Sequence, residues 1–142
     1  MATGTTFCND LMKLIFKAAA IANLADNAAS SPVTSLYVAL HTANPVAGDQ
    51  TTSEAAYTSY ARVAVVRTSS GWTVSGALAE NVAAINFPAC TGSSATCTYV
   101  SIGKSTSGVG EIYFSGALTS SLAVSTGITP SFAINALTVT ES

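Results

Sequence analysis

Ser35-Leu-Tyr-Val-Ala-Leu-His-Thr-Ala-Asn-Pro45 reads as a strand with its own stop. Leu36, Val38 and Leu40 alternate with Tyr37, Ala39 and His41. Side chains on a strand point to opposite faces with period two, so one face can pack on a core and the other can meet water or a second layer. Asn44-Pro45 ends the segment, because proline donates no ladder hydrogen bond and pushes the residue before it towards extended or turn geometry. Upstream of this strand the pattern is helical. Downstream it is short strands and turns.

The upstream pattern places Phe7, Leu11, Leu14, Ala18, Ile21 and Ala25 at spacings of four and three, one apolar stripe down a helix. Asn9-Asp10 supplies helix-start chemistry, and Lys13 and Lys17 share a solvated face. Met12 and Phe16 form a second apolar ridge, wider than one core face needs, and Ala28-Ala-Ser-Ser-Pro32 breaks the helix. Downstream, strand-like segments recur at Arg62–Arg67, Trp72–Val74, Glu80–Phe87, Ala95–Gly103, Glu111–Ser115, Gly116–Leu118, Leu122–Val124, Ser131–Ile134 and Ala136–Thr140. Gly, Ser, Thr and Pro separate them. This spacing predicts a mainly β protein, an antiparallel β-sandwich of jelly-roll type, with an N-terminal α-helix. Residues 1–34 form the arm and helix, and 35–142 one β-sandwich domain.

The chain has 142 residues, of which only 8% are charged, against about 25% in ordinary globular domains. With 49% hydrophobic residues and a net charge of −2, it does not have the composition of a disordered chain. A surface so poor in charge is weakly protected against association. Burial against copies of itself, or against other proteins, is the expected use. Nucleic acid is not an expected partner, because Lys13, Lys17, Arg62, Arg67 and Lys104 are scattered. A membrane is not expected either: the longest apolar run is broken by Lys17 and Asn23. No signal peptide is read at the N-terminus, where no positive charge precedes the apolar stretch. Cys90 and Cys97 flank a turn signal and could face each other; three cysteines are read as free thiols, not a disulfide framework or metal site.

Catalytic chemistry finds little support. His41 is the single histidine and lies on a strand, where a hydrogen-bonded structural role is expected. Asp49 and Glu54 share the long Thr42–Ser59 loop but read as solvated carboxylates, and no phosphate-cradling loop is present. No cofactor is expected. Loops well beyond the common length of about 4–6 residues are often contact loops. The candidate assembly contacts are therefore Phe7, Met12 and Phe16 on the helix, with Asp49, Glu54 and Tyr57 in the loop. Trp72 and Tyr60 are candidates for stacking on sugar rings, since an aromatic face is flat and apolar with a polar edge.

An ordered series of short motifs adds to this. Leu36-Tyr-Val-Ala-Leu-His-Thr-Ala-Asn-Pro45, Tyr60-Ala-Arg-Val63, Trp72, Ile85-Asn-Phe-Pro88, Ile102-Gly103, Gly116-Ala-Leu118, Gly127-Ile-Thr-Pro-Ser-Phe132 and Ala136-Leu-Thr-Val-Thr140 together resemble small structural proteins of tailed bacteriophages. These are labelled tail-fibre-like or virion accessory proteins. The resemblance implies a non-enzymatic virion component, made in the host cytoplasm, whose partners are itself and major capsid or tail proteins. A capsid decoration (cement) protein is the first expectation, because the chain lacks a fibre shaft. A tail, collar or fibre-attachment adaptor is the second, and a carbohydrate-binding module at a fibre tip the third.

Overall fold

The computed structural model describes residues 5–21 and 33–141, apart from the side chains of Thr5 and Phe7. Among the described residues one helix, α1 (Thr5–Lys17), precedes nine strands: β1 (Ser35–His41), β2 (Val63–Val66), β3 (Trp72–Ser75), β4 (Leu78–Asn81), β5 (Ile85–Asn86), β6 (Ala95–Gly103), β7 (Ile112–Val124), β8 (Ser131–Phe132) and β9 (Thr138–Thr140). They form a four-stranded sheet in the order β2-β1-β6-β7, a three-stranded sheet β3-β4-β9 and the pair β5-β8. The protein is mainly β, β1 with β6, β3 with β4, β4 with β9 and β6 with β7 pair antiparallel, and its helix is N-terminal, as the patterning predicts.

The chain divides into two compact units. Met1–Ser35, Val65–Ala84 and Phe132–Ser142 make the first, and Leu36–Ala64 with Ile85–Ser131 the second. In the second, β1 is central and buried on both faces: Leu36, Val38 and Leu40 on one, Ala39 and His41 on the other. Its register with β6 sets Val38 opposite Ile102 and Leu40 opposite Val100, apolar cross-strand pairs on one face. Ala39 faces Ser101 and His41 faces Tyr99 on the other. Two expected boundaries differ. The Glu80–Phe87 segment is two strands, because the Asn81 amide donates to the carbonyls of Ala83 and Ala133 and accepts from Leu137 N–H, which ends β4. The segments read separately between 111 and 124 form one strand, β7. Between the pairs Cys97↔Leu122 and Tyr99↔Ala117, β6 advances two residues while β7 advances five, so Leu118–Ser121 is a bulge.

In the first unit, α1 packs on β3 and β4. Its buried side is Cys8, Met12 and Phe16, four apart, and not the Leu11–Leu14 stripe read from the sequence. Phe16 meets Trp72 edge-on, with ring centroids 4.6 Å apart, and both are fully buried. The helix is also shorter than its pattern, and begins before Asn9-Asp10. Ala18 adopts a left-handed φ of 53°, and residues 18–20 are not helical. Ala18-Ala-Ala20 has high helix propensity, so the stop is not set by propensity. Ala19 N–H closes the last turn on the Lys13 carbonyl (3.2 Å) around the left-handed Ala18, and Arg67 reinforces that end. Its guanidinium donates to the carbonyls of Leu14 (2.6 Å), Ile15 (2.5 Å) and Val33. Continuing the helix would hand the Leu14 and Ile15 carbonyls to the N–H groups of Ala18 and Ala19; Arg67 takes them instead and places a positive charge at the negative end of the dipole. Ala22–Pro32, including the expected break at Ala28–Pro32, lie outside the described residues.

Arg67→Gln removes a charged cap from the carbonyls of Leu14, Ile15 and Val33. It should lower unfolding free energy by about 2–3 kcal/mol, read from the urea midpoint, with loss of helical ellipticity. Phe16→Ala should cost about 3–5 kcal/mol by opening a cavity against Trp72.

Candidate functional site

The long loop after β1 returns to its own unit through a buried polar cluster, which is the most elaborate side-chain constellation among the described residues. Arg62 sits at its centre. Its Nε donates to Glu54 Oε1 at 2.7 Å and its Nη2 to Glu54 Oε2 at 2.8 Å, a two-pronged ion pair with side chains only 2% and 18% exposed. Nη2 also donates to the Gly108 carbonyl (2.8 Å), and Nη1 to the Ser105 carbonyl (2.9 Å) and to Gln50 Oε1 (3.5 Å). All five guanidinium N–H groups are thereby engaged. An arginine suits this position because its planar fork fits a carboxylate side-on while the remaining donors point outward.

Gln50 is fully buried beside it. Its backbone N–H donates to the Gly110 carbonyl, its amide nitrogen to the Tyr37 carbonyl, and its Oε1 accepts from Ser105 N–H. Gly103 and Gly110 leave the room: a Cβ on either would collide with the Gln50 amide. The Tyr60 hydroxyl accepts from Leu40 N–H (3.0 Å) and donates to Glu54 Oε1 (3.1 Å), while its ring lies between Tyr57 and Phe87. Burial first, and then the Glu54 carboxylate, drive the Tyr60 phenol far above its ordinary range. Burial likewise pushes Tyr57 up to about 12, and its hydroxyl donates to the Pro88 carbonyl. Ser53 (φ 51°) and Ser59 (φ 80°) carry left-handed backbone in this loop, a strain of order 1–3 kcal/mol each that the surrounding contacts hold in place.

His41 completes the cluster. Its Nδ1 lies 2.9 Å from the Thr52 carbonyl and its Nε2 2.7 Å from Ser101 Oγ. A carbonyl only accepts, so Nδ1 carries the proton, and Nε2 of the neutral ring accepts from the Ser101 hydroxyl. A serine donating to a histidine that is oriented from behind is the bonding pattern of an activated nucleophile. Here both residues are buried, Ser101 at 1% and His41 at 0% exposure, so the hydroxyl is enclosed and engaged with the imidazole. Burial lowers the His41 pKa from 6.5 and outweighs the Thr52 hydrogen bond and the Glu54 charge, which raise it. The arrangement fixes a loop. It joins β1, β6 and the 104–110 connection into one rigid end of the unit.

The residues singled out from sequence fall in different places. Glu54 is the carboxylate of the ion pair and not a solvated group. Asp49 is partly exposed and accepts from Thr51 N–H (2.7 Å) and Oγ1 (2.6 Å), which hold its carboxyl below the usual range. Tyr57 is buried beside Tyr60. Met12 and Phe16 are core residues of the other unit, and the Phe7 side chain lies outside those described. Trp72 is 0% exposed and offers no face for a sugar; its Nε1 has no hydrogen-bond partner. Tyr60 is engaged at its hydroxyl and flanked at its ring by Tyr57 and Phe87. Gln50 and Arg62 were not anticipated. Their one visible signal was an arginine heading an otherwise apolar strand, eight residues after a glutamate. All three cysteines are buried free thiols. Among the described residues, no group of three or more His, Cys, Asp or Glu could hold a metal ion, and no helix is long and apolar enough to cross a membrane.

Residues 12–140 match the model of a protein family described as podophage GP4 fiber I protein gp80. The chain belongs to this family of phage fibre proteins. No curated protein matches it.

Two outcomes test the cluster. Glu54→Gln leaves a buried guanidinium uncompensated and should cost about 3–5 kcal/mol, whereas Glu54→Gln with Arg62→Met should recover much of that loss in a double-mutant cycle. Below pH 6.5 the unfolded chain binds a proton at His41 that the folded chain resists, so stability should fall as pH drops from about 7 to about 5.5. His41→Asn should flatten that slope in urea titrations.

Proposed function

We propose that this member of a phage fibre family is a non-enzymatic structural subunit of a tailed-phage virion, placed at the tail-fibre apparatus and working as a homo-oligomer against other virion proteins. The observation that carries the reading is the family match across residues 12–140, joined to a site whose polar groups are spent on holding a loop. A catalytic centre keeps a reactive group within reach of substrate. Here His41, Ser101 and Arg62 are enclosed. Rigidity of a contact loop is what such a cluster supplies, since binding then costs little ordering entropy.

Capsid decoration rested on the lack of a shaft, which a fibre adaptor or fibre base also lacks, and the family description favours the fibre position. A sugar-binding tip draws no support from Trp72, whose ring is fully buried, or from Tyr60, whose half-buried ring is flanked by Tyr57 and Phe87. Of the candidate contact residues, Asp49 is the one we carry forward, because it is partly exposed on a loop fixed from behind. The mechanism is mechanical: the larger unit presents a loop held from behind and its sheet surface to neighbours.

Counting copies of this chain per purified particle, with antibody labelling by electron microscopy, tests the position. A few dozen copies or fewer, labelled at the tail, is the expected result. Hundreds of copies spread over the shell would overturn it in favour of decoration.

A further inference from the structure

The charged residues of the Leu36–Ala64 and Ile85–Ser131 unit are Asp49, Glu54, Arg62, Lys104 and Glu111. Every one lies in the loop after β1 or in the connection between β6 and β7. These two segments are the ones the Arg62 cluster ties together. The charges of the unit are therefore gathered at its clamped end. The rest carries none: no Asp, Glu, Lys or Arg occurs between Glu80 and Lys104, or between Glu111 and Glu141.

Much of this charge-free part is exposed among the described residues. β7 closes one side of the four-stranded sheet and pairs, among the described strands, with β6 alone. Gly116, Ala117, Thr119, Ser120, Ser121 and Ala123 along it are exposed. Ile128, on the loop that follows, is 42% exposed. Open strand edges are ordinarily guarded by lysine, proline or an inward charge. β7 has none of these and relies on its bulge at Leu118–Ser121.

We propose that this charge-free flank, centred on the edge of β7, is the surface on which a second copy of the chain docks. The inference deepens the homo-oligomer proposed above and rests on that reading. Charge matching selects the occupant. An ordinary protein surface, about a quarter charged, would lose solvation of its ions against a face that has nothing to pair with them. The same flank of a second copy brings no ion to desolvate and no like charge to repel. Cores of protein interfaces are depleted in charge for this reason. The bulge kinks the edge and restricts strand pairing to short stretches on either side of it, which favours a closed contact between copies over an open-ended ladder.

The test uses the full chain, with mass measured by sedimentation across a concentration series. The wild type should associate. Ala117→Glu and Ser121→Glu, each placing a charge in the flank, should weaken association at least tenfold, while Ser107→Glu at the clamped end should leave it unchanged. Thermal melts should show all three folded. Ala117→Cys, in a chain whose own cysteines are buried, should give covalent oligomers with a short bis-maleimide. Association that survives both flank substitutions would overturn the surface and leave the homo-oligomer reading standing. A monomeric wild type would overturn both. A monomeric wild type whose flank variants fail to enter particles would assign the flank to a different virion protein.

Discussion

Arg62 meets Glu54 inside the protein, and the organisation of the larger unit depends on that meeting. A buried ion pair is not automatically favourable, because both charges give up water. This one is tolerable because the carboxylate accepts from two guanidinium nitrogens and a tyrosine hydroxyl, and the remaining guanidinium N–H groups end on carbonyl oxygens and the Gln50 amide. The consequence is geometric. The loop after β1 and the connection between β6 and β7 are held together, with Gln50 filling space that Gly103 and Gly110 leave open. His41 then faces Ser101 and Thr52 in a buried site, and burial lowers its pKa.

A second arginine plays the corresponding part in the other unit. Arg67 takes the last carbonyls of α1 and so reinforces the end of the helix. With the helix stopped at Lys17, Cys8, Met12 and Phe16 lie towards β3 and β4, and Phe16 meets Trp72. The two buried or half-buried arginines thus act through directed hydrogen bonds to backbone carbonyls, in a chain with little charge to spend elsewhere. The helix is part of a core, which is a different task from the free assembly arm that an N-terminal amphipathic segment suggests.

Functionally, the pattern is of polar groups turned inward and small uncharged side chains turned outward. Enclosed hydrogen-bonding groups hold the long loop in shape, and exposed Ser, Thr, Ala and Gly line β7. That combination suits a repeated part in an assembly, which agrees with membership of a phage fibre family.

Local sequence determined what depends on period and composition. The alternation of Leu36–His41 marked β1, Ala95–Gly103 marked β6 to the residue, and the ordered motifs pointed to the phage family. Period also predicted a helix, but which of its ridges is buried, and what reinforces its end, depended on Trp72 and Arg67, more than fifty residues away. Glu54 read as a solvated carboxylate and Trp72 as a sugar platform because exposure is not a local property. Glu54 is enclosed by Arg62 and Tyr60, with Arg62 in turn anchored on the distant Ser105 and Gly108 carbonyls, and the indole is covered by Phe16. Tertiary structure alone brings those partners together, and with them it decides which polar groups face inward and which surface remains for a neighbour.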